Sequence, residues 1–233
     1  MRLLNELTPI GYRIWIVDGP VTFFEGFAYP TRMAVIRLNN GDLFVWSPIA
    51  LTSVLKEQID GLGRVKHIVS PNKLHHLSIR EWQMAFPQSL VYASPGLIRK
   101  RRDICFHAEL GDRPELAWTG ELDQVAMRGS FVMTEIVFYH QASRTALFAD
   151  LIENFPPDWF KGWRSLLAKF LGIVQPNSSA PREWRMTFWN RNATRAALAR
   201  ILAWPAERVI MAHGEIVRSD GAEFISRSFR WLW

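Results

Sequence analysis

The chain has 233 residues, 48% hydrophobic and 21% charged, with a formal net charge of +6 and a single cysteine. Such a length suits one large α/β domain or two small ones, and no stretch approaches the roughly 18 uninterrupted apolar residues of a membrane span. One cysteine excludes an internal disulfide and any thiolate zinc cluster within the chain. The N-terminal run Met1 to Glu6 lacks the basic, apolar and small-residue parts of a secretory signal, so a cytoplasmic location is expected.

Met33 to Leu38 and Leu43 to Ser47 flank the turn formers Asn39-Asn40-Gly41-Asp42 and predict a β-hairpin. Leu51 to Ile59 has helical spacing and stops at Asp60-Gly61-Leu62-Gly63. The strand Val65 to Val69 ends in Ser70-Pro71-Asn72, and a helix opens near Ser78. Leu90 to Ala93 is a short strand, and the basic run Arg99-Lys100-Arg101-Arg102 suits the exposed end of a short helix over 97–102. Cys105, between Ile104 and Phe106, is expected to pack inside. Glu121 to Met127 and Phe131 to Tyr139 read as strands, followed by the turn His140 to Arg144 and a returning strand, Thr145 to Ala149. An amphipathic helix is expected over 158–171, a helix over 192–202, a strand over 209–212 and a last helix over 222–231. The order of elements indicates a mixed sheet with outer helices. Two similar halves would form an α+β, four-layer αββα sandwich in one domain over 1–233.

Three apolar strands deliver metal-compatible residues at the same end. The first leads to His75 and His76, the second into Asp150 and the third into His213-Gly214. Ligands in α/β sheets come from the loops outside the carboxyl ends of strands, and neutral imidazoles with a carboxylate suit zinc, iron or manganese. On residue types alone, the competing account of the pair is one histidine packed and the other capped or solvated, and a histidine is only a candidate ligand until geometry is shown. His67 alternates with Val65 and Val69 and is expected inside its sheet, whereas His140 lies at the far end of its hairpin from Asp150 and is expected in solvent. His107 gives no signal. Glu135, a carboxylate within an apolar strand, needs a partner; it is a candidate general base, a support for a histidine ligand, or half of an ion pair with an arginine. Glu215 is a weaker candidate of the same kind. No serine sits in a nucleophile elbow.

These segments resemble the metallo-β-lactamase superfamily over about residues 20 to 218. More closely, Pro71-Asn72 before His75-His76, with Ser143-Arg144-Thr145 before Phe148-Ala149-Asp150, is similar to its DUF4336 branch. Laid on this chain, the superfamily's His-x-His-x-Asp-His loop puts its first His on Pro71, its second on Lys73, its Asp on His75 and its last His on His76. Its strand-end Asp falls on Asp150 and its C-terminal His on His213, while its middle His falls near Phe131 to Met133, where no histidine exists. The resemblance therefore implies loss of the first metal's ligands and a mononuclear site on His75, His76, Asp150 and His213. One divalent metal, zinc first with iron or manganese as alternatives, would activate water against an ester, thioester or phosphoester. Lys73 would lie near the emptied position, binding an anionic group of a substrate or pairing with Asp150. The competing reading is an inactive scaffold that binds a small ligand or protein partner in the same cleft.

Dispersed positive charge without a nucleic-acid-binding motif argues against a nucleic-acid partner. The tryptophan-rich segment of about 156–190, with Lys161, Arg164 and Lys169 among Trp159 and Trp163, reads as a lid or a homodimer interface ahead of a membrane-surface contact.

Overall fold

The computed structural model describes residues 5–24 and 27–233; residues 1–4, which belong to the run inspected for a secretory signal, lie outside them. Seven strands form the first sheet in chain order: β1 (Thr8–Gly11), β2 (Ile14–Phe24), β3 (Phe27–Arg37), β4 (Asp42–Trp46), β5 (Arg64–Val69), β6 (Leu90–Ala93) and β7 (Ala108–Glu109). The pairs from β1 to β4 are antiparallel and those from β4 to β7 parallel. The second sheet runs β11-β10-β9-β8, from β8 (Leu122–Met127), β9 (Glu135–His140), β10 (Thr145–Phe148) and β11 (Arg208–Met211), with β10 and β11 parallel.

Side chains alternate across each strand, so one strand feeds two layers. Phe44 and Trp46 of β4 face Ile136 and Phe138 of β9 in the core between the sheets. Leu43 and Val45 point outward onto Leu55 and Ile59 of α1 (Ser53–Leu62) and Trp82 of α2 (Ile79–Ala85). Val137 and Tyr139 point outward onto Leu198 and Ile201 of α6 (Arg191–Leu202) and Ile225 of α7 (Gly221–Ser228). The result is helix, sheet, sheet, helix: the αββα sandwich. Among the described residues no helix is long and apolar enough to cross a membrane.

Three expectations need correction. The 158–171 helix starts only at Trp163 (α4, Trp163–Leu171), because Gly162 breaks it at a φ of +59°. Cys105 is exposed, following α3 (Leu97–Lys100); its neighbour Ile104 takes the buried side. His140 is 1% exposed, its Nδ1 lying 2.7 Å from Ser143 Oγ, because the turn folds back over the imidazole. A further short helix, α5 (Arg182–Met186), follows the loop after α4.

His67, packed against the rings of Tyr92 and Trp118, and His140 are both held neutral by burial, which pushes each down to about 4. The unfolded chain binds these protons near pH 6.5, so between about pH 6.5 and 4 it holds more of them than the folded one. Stability is therefore expected to fall as pH drops through that window, by about 2 kcal/mol for each histidine between pH 7 and 5. Urea unfolding at the two pH values checks this; equal midpoints would contradict it.

Candidate metal centre

The parallel strands β4, β5, β10 and β11 all end on one side of the sandwich. Ser47 follows β4 directly, His75 sits in the loop from β5 to α2, Asp150 lies two residues past β10 and His213 two residues past β11. Their side chains meet. His213 Nε2 is 3.1 Å from Asp150 Oδ1, and His75 Nε2 is 3.4 and 3.3 Å from the two Asp150 oxygens. One ligand atom from each of the three lies within 4.8 Å of the other two. A tetrahedral ion with 2.0–2.1 Å bonds separates neighbouring ligand atoms by roughly 3.3–3.4 Å, so the two His–Asp spacings suit a shared cation.

Proton placement points the same way. His213 Nδ1 lies 2.7 Å from the Pro30 carbonyl, which only accepts, so that nitrogen carries the proton. In a neutral imidazole Nε2 then presents a lone pair to the Asp150 carboxylate, a repulsive contact unless a proton or a cation lies between. His75 is oriented similarly, with Nδ1 2.7 Å from Ser47 Oγ. Burial opposes ionisation of Asp150, but His75 and His213 beside it hold its carboxyl well below the usual carboxylate range.

A second tier fixes these groups. Glu135, at the start of β9, accepts the backbone N–H of Ala149 at 2.8 Å, that of Asp150 at 2.8 Å and the Asn72 amide at 3.0 Å. Asn72 also donates to Asp150 Oδ2 at 2.7 Å, bridging the two carboxylates. Burial and the neighbouring Asp150 push Glu135 up, against three N–H donors that favour its anion. Arg32, buried in β3, donates through Nη1 to the carbonyls of Met211 at 2.9 Å and Gly214 at 2.7 Å, and so clamps the His213 loop to the first sheet. Gly214 holds a φ of +86°, and a Cβ there would lie 2.2 Å from the Asn154 carbonyl oxygen; no larger residue fits this turn.

A match to the family model described as "Domain of unknown function (DUF4336)" runs over residues 12–196. The chain belongs to the DUF4336 family. No protein with a curated description matches it. Its fold is the metallo-β-lactamase fold. This DUF4336 protein superposes on a metallo-β-lactamase from Pontibacter korlensis with a TM-score of 0.65 at 13% identity, covering 97% of this chain and 98% of that one. The mono-zinc form of the metallo-β-lactamase FIM-1 from Pseudomonas aeruginosa gives 0.63 at 12% identity, with 97% and 94% covered. The metal-soaked Flv1 flavodiiron core from Synechocystis gives 0.64 at 13% identity; 97% of this chain covers 60% of that one, so the chain spans about three fifths of its length.

Of the ligands that the resemblance implies, the DUF4336 protein brings together His75, Asp150 and His213. His76 does not join them. Adjacent side chains diverge in the β5–α2 loop, and His76 Nδ1 accepts from Arg101 Nη1 at 2.7 Å, which leaves a proton rather than a lone pair on Nε2. Burial, followed by Lys100 and Arg101, pushes His76 down to about 4. Among the described residues no ion pair joins Lys73 to Asp150. The Lys73 side chain lies beside Gly96, its carbonyl accepts from Lys100 Nζ at 2.8 Å, and Asn72 takes the place expected for it. Glu135 supports the Asp150 loop rather than a histidine, and among the described residues no ion pair links it to an arginine. Glu215 is exposed and accepts from Gln175 at 2.8 Å, outside the site. Ser47, Pro30, Arg32 and Asn72 carry no metal-ligand signature. Only Asn72, within Ser70-Pro71-Asn72 at the strand end, offered a hint.

The three residues lie in a cleft of about 530 Å³, bordered also by Glu153, Lys100 and Trp184. Glu153 is buried, its Oε2 without a hydrogen-bond partner among the described residues, and burial, then Asp150 and Glu183, raise its carboxyl well above the usual range.

Proposed function

We propose that this protein is a cytoplasmic metal-dependent hydrolase in which His75, Asp150 and His213 hold one divalent cation. Zinc comes first, with iron or manganese as alternatives. The observation that supports this most is the His213–Asp150 contact of 3.1 Å, made while Nδ1 is already committed to the Pro30 carbonyl. The mono-zinc and metal-soaked proteins of the same fold support it as well. When bound, such an ion acts as a Lewis acid that acidifies water and polarises a carbonyl or phosphoryl oxygen.

The chain's own residues do the rest. Asp150 supplies negative charge to the site, and Ser47 and Pro30 orient the two imidazoles. Glu153 lines the same cleft, where burial, then Asp150 and Glu183, raise its carboxyl well above the usual range and favour its protonated form. The substrate class is an ester, thioester or phosphoester. A second reading, a scaffold that binds a ligand without turnover, draws on Pro71 and Lys73 standing where the superfamily places two histidines.

Protein purified without chelator is expected to hold about one metal equivalent per chain. Zinc at roughly a thousandfold excess over Kd should add about 4 kcal/mol of stability, and the variant His213→Ala should lose that gain. Metal analysis and thermal unfolding with and without zinc check this. A metal-free protein indifferent to zinc, iron and manganese would favour the scaffold.

A further inference from the structure

The walls of the cleft are unlike its floor. His75, Asp150 and His213 form the polar floor, and Tyr29 meets His213 edge-on with 5.2 Å between ring centroids. Much of the remaining lining is apolar, including Val21 and Phe23 from the end of β2, Leu74 and Leu77 from the β5–α2 loop, and Trp184 of α5. Phe23 is 76% exposed and Leu77 74%, although both border the cleft. Single exposed apolar residues are ordinary, but several gathered along one concave site mark a surface that a ligand covers. A polar cluster and an apolar lining in one cleft suit a site that fixes one end of a ligand and buries the rest.

We infer that this cleft takes the alkyl chain of an acyl ester or thioester against Val21, Phe23, Leu74 and Leu77, with the scissile group towards His75, Asp150 and His213. The position of the scissile group rests on the hydrolase reading; the chain site does not. Lys100, whose Nζ donates to the Lys73 carbonyl at 2.8 Å, is the one lysine or arginine on the lining among the described residues, and its charge favours an acid over a neutral probe.

The test is binding to the metal-free protein, read by tryptophan emission and calorimetry, with decanoate against butanoate and decan-1-ol against butan-1-ol. The alcohols separate chain burial from the pull of Lys100. Each fully buried methylene is worth about a fourfold gain in affinity, so burying even half of the six extra methylenes should make both ten-carbon probes bind about sixtyfold tighter than their four-carbon partners. The double variant Phe23→Ser, Leu77→Ser alters exposed side chains only and should weaken decanoate about tenfold. The variant Leu166→Ser, on the exposed face of α4 and outside the cleft, should bind it normally. Equal affinity for long and short probes, or unchanged decanoate binding in the double variant, overturns the inference. Chain binding by a protein that takes up neither zinc, iron nor manganese would sink the hydrolase reading and leave the alkyl site standing.

Discussion

The variant Asp150→Asn is expected to lose zinc affinity by a factor of at least about a hundred, since even partners outside the ligands themselves cost 10- to 100-fold. The substitution preserves shape and removes charge. It also places an amide where Asn72 Nδ2 already donates to Oδ2 at 2.7 Å, so two donors face one another or the amide turns an NH₂ towards a histidine. Competition with a chromophoric chelator measures the affinity, and far-UV circular dichroism establishes that the fold survives. Wild-type zinc binding in this variant would remove Asp150 from the ligand set.

Glu135→Ala is expected to be the most destabilising of the single changes considered. It strands three donors, the backbone N–H of Ala149, that of Asp150 and the Asn72 amide, at a position 1% exposed. A buried donor without a partner costs about 1–3 kcal/mol; relief of the repulsion from Asp150 offsets part of the sum. A net loss of about 3–4 kcal/mol, seen as a fall in Tm of roughly 10 °C, is anticipated. Glu135→Gln retains one carbonyl acceptor but turns an NH₂ towards N–H donors, and should lose about half as much. Urea unfolding of the pair checks this; a Glu135→Ala protein within about 1 kcal/mol of wild type would show that water replaces the carboxylate.

The inner and outer faces of β4, β5, β9 and β10 are legible because a half-buried strand alternates its side chains, and short apolar runs bounded by turn formers have few other uses. The long β2 escapes that logic. Asp18-Gly19-Pro20 looks like a stop, yet the strand passes through an irregular register between Asp18 and Val21 and continues to Phe24. Gly162 works in the opposite sense, ending a helix whose apolar spacing continues back to Trp159. At the candidate metal centre, strand ends reveal where metal-compatible side chains gather, hence His75, Asp150 and His213. They do not reveal which of two adjacent histidines turns inward, since the Arg101 that captures His76 comes from a separate loop. The Pro30 carbonyl that assigns the His213 proton is a backbone group, and any residue type could have supplied it.

The origins of the three clustered side chains have a mechanical consequence. His75 hangs from the N-terminal sheet, while Asp150 and His213 hang from the C-terminal one, with Arg32 already reaching across to the Met211 and Gly214 carbonyls. A cation seated there rivets the two slabs at their rim. Stripping it would loosen the seam along which they meet before either slab frays, so amide protons on both sides of the joint would report metal occupancy together.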